Sequence, residues 1–190
     1  MHGFERRQGE LHGEGVPLRD LAAQAGTPLF VYAAGAIRAR YRQLDEAFAS
    51  YPHRLHYAIK ANATLGIVRL MRELGAGADA NSGGELEVAL RAGYAAPEVV
   101  FTGVGKTRAE LERAIGLGLA AINAESPGEM ERIAAIAAAQ GQRANVAVRV
   151  NPDIEAGSHP HISTGHRATK FGMSMADAAA LIHADRKSVV

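Results

Sequence analysis

The chain has 190 residues, with 21 basic side chains against 20 acidic ones and a net charge of +1. That balance, with no basic stripe or aromatic platform to follow a phosphate backbone, argues against nucleic acid as a partner. The absence of cysteine excludes disulfides and thiolate metal sites, and no apolar run reaches the roughly 18 residues of a membrane span.

The first residues, Met1-His2-Gly3-Phe4-Glu5-Arg6-Arg7, carry charge without the apolar stretch of a secretion signal. A cytoplasmic protein is the reading. Residues 1 to 14 are Gly-rich and charged and are expected to be a loose lead-in. Val16 to Ala25 reads as a short helix with Leu18, Leu21 and Ala22 on one face, closed by Gly26. Thr27-Pro28-Leu29-Phe30-Val31-Tyr32 reads as a strand whose proline stands where a missing donor does least harm.

From there a strand, a loop and a helix recur every 20 to 26 residues or so, roughly the length of one βα unit. The strand candidates are Leu55 to Ile59, Gly77 to Ala80, Val99 to Thr102, Ala120 to Asn123 and Asn145 to Val150. All are apolar enough to be expected in a parallel sheet covered on both faces. Ile67, Leu70, Met71 and Leu74, and then Leu111, Ala114 and Ile115, recur at helical spacing between them. Ser82-Gly83-Gly84-Glu85, Thr107-Arg108-Ala109-Glu110 and Ser126-Pro127-Gly128-Glu129 each fit a capping box, with Pro127 at the first helical position. The chain stops after a further helical pattern and before any closing strand, so it is expected to be the amino-terminal piece of something longer.

The chemistry-bearing stretch is His56-Tyr57-Ala58-Ile59-Lys60-Ala61-Asn62. A lysine at the carboxyl end of a buried parallel strand sits where barrel active sites lie, and an amine in a partly dry pocket loses its proton readily and forms a Schiff base. The plain alternative is a lysine that leaves its ammonium in water. Two phosphate motifs are set aside. Gly105-Lys106-Thr107 ends like a P-loop but has Val100 where a glycine is needed, and Gly75-Ala76-Gly77-Ala78-Asp79-Ala80 follows a helix where a dinucleotide fingerprint follows a strand. Gly75 and Gly77 read instead as a helix stop and a tight turn. His159, His161 and His166 have no carboxylate or cysteine nearby to complete a ligand set, so no metal is expected. Asp79 and Ser82 follow the second strand; a turn and a cap account for them. Arg149 points either into the sheet's open side or out to a helix, and if buried it needs a partner such as Asp79 or Glu125.

Tyr-Ala-Ile-Lys-Ala-Asn, Gly-Ala-Asp-Ala-Asn-Ser-Gly-Gly-Glu-Leu (77 to 86) and Phe-Thr-Gly-Val-Gly-Lys-Thr (101 to 107) resemble consecutive blocks of the fold-type III pyridoxal-phosphate decarboxylases. Ile-Asn-Ala-Glu-Ser (122 to 126), Val-Arg-Val-Asn-Pro-Asp (148 to 153) and His-Pro-His-Ile-Ser-Thr-Gly with Lys-Phe-Gly (159 to 165, 170 to 172) continue the series. Their order and spacing most resemble the diaminopimelate decarboxylases of that family, from about Gly15 to Asp185.

The resemblance implies an alanine racemase-like (β/α)8 TIM-type barrel, of which about five strands are present. Residues 1–26 would be the lead-in, and 27–190 a partial pyridoxal-phosphate-binding barrel lacking its last strands and a β domain. It implies pyridoxal 5'-phosphate as cofactor, Lys60 as its lysine, Asp79 beside it where the charge steadies the lysine ammonium, and Arg149 near its ring oxygen. For the whole protein it implies decarboxylation of meso-diaminopimelate to L-lysine by a homodimer. The remaining cofactor and substrate ligands would lie beyond residue 190, so the piece by itself is expected to be inactive. Another enzyme of the same fold, such as an ornithine or arginine decarboxylase or an alanine racemase relative, is the second reading. A non-catalytic pyridoxal-phosphate-binding protein is the third.

Overall fold

The computed structural model describes residues 3–153 and 171–188. His159, His161, His166 and Lys170 lie outside them. The chain forms two compact units, Met1–Leu55 with Glu73–Ala76, and His56–Arg72 with Gly77–Val190.

In the first unit, β1 (Phe4–Arg7), β2 (Glu10–Gly13) and β3 (Val16–Pro17) make an antiparallel sheet in register Phe4↔Gly13 and Gly13↔Val16. Its two-residue turns, Gln8-Gly9 and Glu14-Gly15, have positive φ at both positions, the twist that suits tight hairpins. The expected loose lead-in is therefore ordered. Helix α1 (Leu18–Ala25) starts two residues after the expected Val16, because Val16 and Pro17 pair with β2, and it ends at Gly26 as expected. Helix α2 spans Ala34–Ala47.

The strand expected over Thr27 to Tyr32 does not form. Its residues have high β-propensity, but propensity expresses fit to a pleated, half-buried surface, and no segment among the described residues makes a ladder with it. Phe30 is 85% exposed.

The second unit is built on five parallel strands in sequence order: β4 (His56–Ala58), β5 (Gly77–Ala80), β6 (Val99–Phe101), β7 (Ala121–Ala124) and β8 (Val146–Val148). All five expected strands are present within a residue or two, except that the last ends at Val148; Val150 makes only an isolated bridge to Met173. Helices α3 (Leu65–Glu73), α4 (Gly83–Arg91), α5 (Arg108–Leu117) and α6 (Pro127–Ala139) connect them, and α7 (Met175–Ser188) follows β8.

Strand alternation decides what is buried. Ala78, Ala80, Val99, Phe101, Ile122 and Ala124 are shielded and join Val68, Leu86, Leu111, Ile115 and Ile133 from the helices in one core. The neighbouring strand positions differ. Asp79, Val100, Thr102, Ala121 and Asn123 are half-buried, and His56 and Ala147 are exposed. The strands are thus covered on one face among the described residues, where both had been expected. Gly77 is also a strand residue rather than a turn. A Cβ there would lie 2.5 Å from the His56 ring, which occupies that space.

Candidate active site

All five strands are parallel, so their carboxyl ends reach one edge of the sheet. The registers Ala58↔Asp79, Asp79↔Val100, Val100↔Ala121 and Asn123↔Ala147 put Ala58, Asp79, Thr102, Asn123, Glu125 and Arg149 on the face away from the helices. This settles the direction of Arg149. It shares its face with Asp79, and three strand spacings of about 4.8 Å separate their strands along the sheet.

Lys60 stands in a single 3-10 turn, Ile59–Ala61, directly after β4. Ile59, wholly buried, anchors the turn in the core, while Lys60 itself is exposed. The Tyr57 hydroxyl donates to the Asn62 carbonyl at 3.0 Å, and the Thr64 N–H donates to Asn62 Oδ1 at 2.9 Å. The backbone on both sides of Lys60 is therefore fixed. Its ammonium has no hydrogen bond or ion pair among the described residues, and its exposure is what the plain alternative describes rather than the partly dry pocket expected for it.

On the neighbouring strand, Asp79 Oδ1 and Asn81 Nδ2 are buried without hydrogen-bond partners. A buried acceptor or donor left unpaired costs about 1–3 kcal/mol, and native proteins tolerate few such groups outside functional sites. Next along the same face, Asn123 Nδ2 donates to Thr102 Oγ1 at 2.7 Å. That pair is not legible in the sequence, because it depends on the registers Asp79↔Val100 and Val100↔Ala121 between separate strands.

The loops behind this edge are held by their helix caps. The Glu85 N–H donates to Ser82 Oγ at 3.2 Å, and the Glu129 N–H donates to Ser126 Oγ at 3.2 Å. In both, the glutamate reaches one residue farther back than a capping box requires, accepting from the N–H of Asn81 and of Glu125 respectively, each at 2.8 Å. Only Thr107 and Glu110 form the reciprocal pair. Glu110 also accepts from the Gly83 N–H at 2.7 Å, tying the starts of α4 and α5 together. These backbone donors, from Thr107 first and Gly83 second, hold its carboxyl below the usual range.

Lys106, which the sequence places in a failed P-loop and in the block 101 to 107, is buried. Its Nζ donates to the carbonyls of Gly103 at 2.8 Å and Asn123 at 2.7 Å and pairs with Glu129 Oε1 at 3.2 Å. With its donors used, it is a structural tie, whereas Lys60 is exposed. Burial of this kind has no signature in the local sequence. Arg149 pairs with Glu125, the plain alternative raised for it, through Nη1 and Oε1 at 2.8 Å.

An exposed amine just past Ala58, whose strand partner Asp79 has one oxygen without a donor, suits a ligand that attaches to nitrogen. Residues 34–190 match the pyridoxal binding domain of the pyridoxal-dependent decarboxylases, and the chain belongs to that family. Within it, the chain is similar to diaminopimelate decarboxylases. It is 47% identical to that of Pseudomonas fluorescens over 179 residues, 94% of this chain and 43% of the relative. Against that of Vibrio cholerae it is 44% identical over 174 residues, 92% of this chain and 42% of the relative. The structure of diaminopimelate decarboxylase from Helicobacter pylori complexed with L-lysine superposes with a TM-score of 0.85 at 37% identity, covering 90% of this chain and 44% of that one. The fold is that of part of a (β/α) barrel. The chain spans under half the length of these relatives.

Proposed function

We propose that the whole protein decarboxylates meso-diaminopimelate to L-lysine, with pyridoxal 5'-phosphate held by Lys60, Asp79 and Arg149. The observation that carries this reading is the exposed, unpaired Lys60 on a fixed turn, one strand from a buried carboxylate oxygen that lacks a donor. The substrate comes from the similarity to diaminopimelate decarboxylases. The homodimer rests on the family resemblance and the cytoplasmic location on the sequence reading above, and no helix among the described residues is long and apolar enough to cross a membrane.

Each residue has a task that its position allows. When bound, the cofactor supplies an electron sink for the bond broken at the amino acid's α-carbon. Lys60 Nζ is the nucleophile that holds it, favoured by a turn that costs no reordering. Asp79 Oδ1 would accept a hydrogen bond from an N–H of the ligand and serve as a counter-charge to the Lys60 ammonium when that amine is unbound. The Thr102–Asn123 pair lines the strands between Asp79 and Arg149 with neutral dipoles. Arg149 offers cationic donors at the far side.

The test is carbon dioxide release by the cofactor-loaded full-length protein from meso-diaminopimelate, ornithine and arginine. A site that hydrogen-bonds a distal carboxylate rejects substrates lacking it by a factor on the order of 10⁴. Similar kcat/KM for all three, or preference for ornithine, refutes the substrate while leaving the role of Lys60 standing.

A further inference from the structure

Glu125 follows β7, and its side chain keeps only 9% of its surface exposed. A carboxylate so shielded is tolerated when its oxygens are used, and here both are. Oε1 accepts from Arg149 Nη1 at 2.8 Å, and Oε2 accepts from the Gly172 N–H at 2.9 Å. The donors come from segments 24 and 47 residues away in the chain. Gly172 has a φ of +73°, and a Cβ on it would stand 2.9 Å from the Arg149 carbonyl oxygen and 3.0 Å from the Asn151 nitrogen. Glycine is what lets this segment lie close enough to β8 for its N–H to reach Glu125.

The same residues fix the guanidinium of Arg149. Glu125 takes one edge, and the Phe171 ring lies under it with its centroid 4.9 Å away. The arginine's side chain is nevertheless 34% exposed, and Nε and Nη2 have no partner among the described residues. A guanidinium is a planar fork of five donors matched to oxyanions. Here half of the fork is clamped and half is open, on the face that carries Asp79. If the cluster served only to fasten residues 171–173 to β8, the Gly172 N–H and the Met173–Arg149 backbone bond of 2.9 Å would suffice, and the arginine's charge would be surplus.

We propose that Glu125 is a positioning residue: it and Phe171 hold Arg149 so that the open edge of the guanidinium meets an oxyanion of the ligand bound at the Lys60 edge of the sheet. This rests on the reading of that edge as a pyridoxal 5'-phosphate site and deepens it. The sequence resemblance assigned no such task to Glu125.

The experiment is a double-mutant cycle on the full-length protein with E125Q, R149M and the double variant, read by the dissociation constant for pyridoxal 5'-phosphate and by the circular dichroism of its visible band. E125Q is expected to weaken binding about tenfold, as loss of one charge-assisted hydrogen bond does, and to change the dichroic band. In the R149M background it should do neither, because coupled residues are not additive. F171L leaves both carboxylate bonds in place and reads the same coupling if E125Q does not fold. Additive losses, or a lowered melting temperature with unchanged affinity and dichroism, would mean that Glu125 only fastens the chain. Cofactor uptake by the wild type with no effect of E125Q overturns this inference alone; no uptake by the wild type overturns the site reading as well.

Discussion

Lys106 Nζ lies 3.2 Å from Glu129 Oε1 with 1% and 3% of the two side chains exposed, so an ion pair sits behind the edge of the sheet that carries Lys60. The pair joins the loop after β6 to the start of α6, and the lysine's remaining donors go to the carbonyls of Gly103 and Asn123. Removing one partner leaves a buried charge uncompensated, at a cost of about 3–5 kcal/mol. K106M and E129Q should each lower the urea midpoint of the full-length protein sharply. The double variant K106M/E129Q should lose less than the two single losses added together, since it removes the unpaired buried charge that each single variant leaves. Equal and additive losses would show that each residue acts through separate contacts.

The same burial separates the two lysines chemically. Reduction of the cofactor-loaded protein with borohydride, followed by peptide mapping, should put the pyridoxyl label on Lys60. A label on Lys106 or Lys170 would end the assignment of the site. K60A should abolish the label while leaving the melting temperature nearly unchanged, because the exposed Lys60 side chain makes no contact that the fold requires.

Glu110 predicts a pH dependence. Its carboxyl is held below the ordinary value of 4.5 by the Thr107 and Gly83 backbone donors. A depressed carboxylate contributes stability that is fully present above its unfolded pKa and is lost as pH falls through its folded one. E110Q keeps an oxygen that can accept from the same donors but loses the charge, so it should cost about 0.3–1 kcal/mol at pH 7, the worth of an anion at a helix N-terminus. The gap between wild type and variant should close as the pH is taken below 4.5. Urea midpoints of both proteins at pH 7 and pH 3 measure it, and a gap independent of pH would show that the charge is irrelevant.

Residues 1–190 expressed alone are expected to aggregate or to melt without a sharp transition. Among the described residues β4 pairs only with β5 and β8 only with β7, which leaves both edges of the sheet open, and open edges invite pairing between chains. Phe30 and Tyr51 are 85% and 71% exposed, adding apolar surface that favours association. Size-exclusion chromatography and calorimetry decide this. A monomer with one cooperative melt would contradict it.

What the sequence determined by itself was the local and the periodic. Strands β4 to β7 were legible because apolar runs, turn residues and Ser or Thr caps recur at fixed intervals, and each depends on neighbours within a few residues. The place of Lys60 just past the end of a strand was legible for the same reason. The hairpin of β1 and β2 was missed because Gln8-Gly9 is a weaker turn signal than Asn-Gly, and the strand over Thr27 to Tyr32 was overcalled because propensity cannot supply a ladder partner. Only the tertiary structure decided which charges are free. Lys60 and Lys106 both lie just past strands in polar loops, and nothing within a few residues of either says that one is exposed and the other holds Glu129 across 23 residues. Burial and pairing of charge depend on what other segments bring to the same place, so the exposed lysine and the buried one became distinguishable only once the chain was folded.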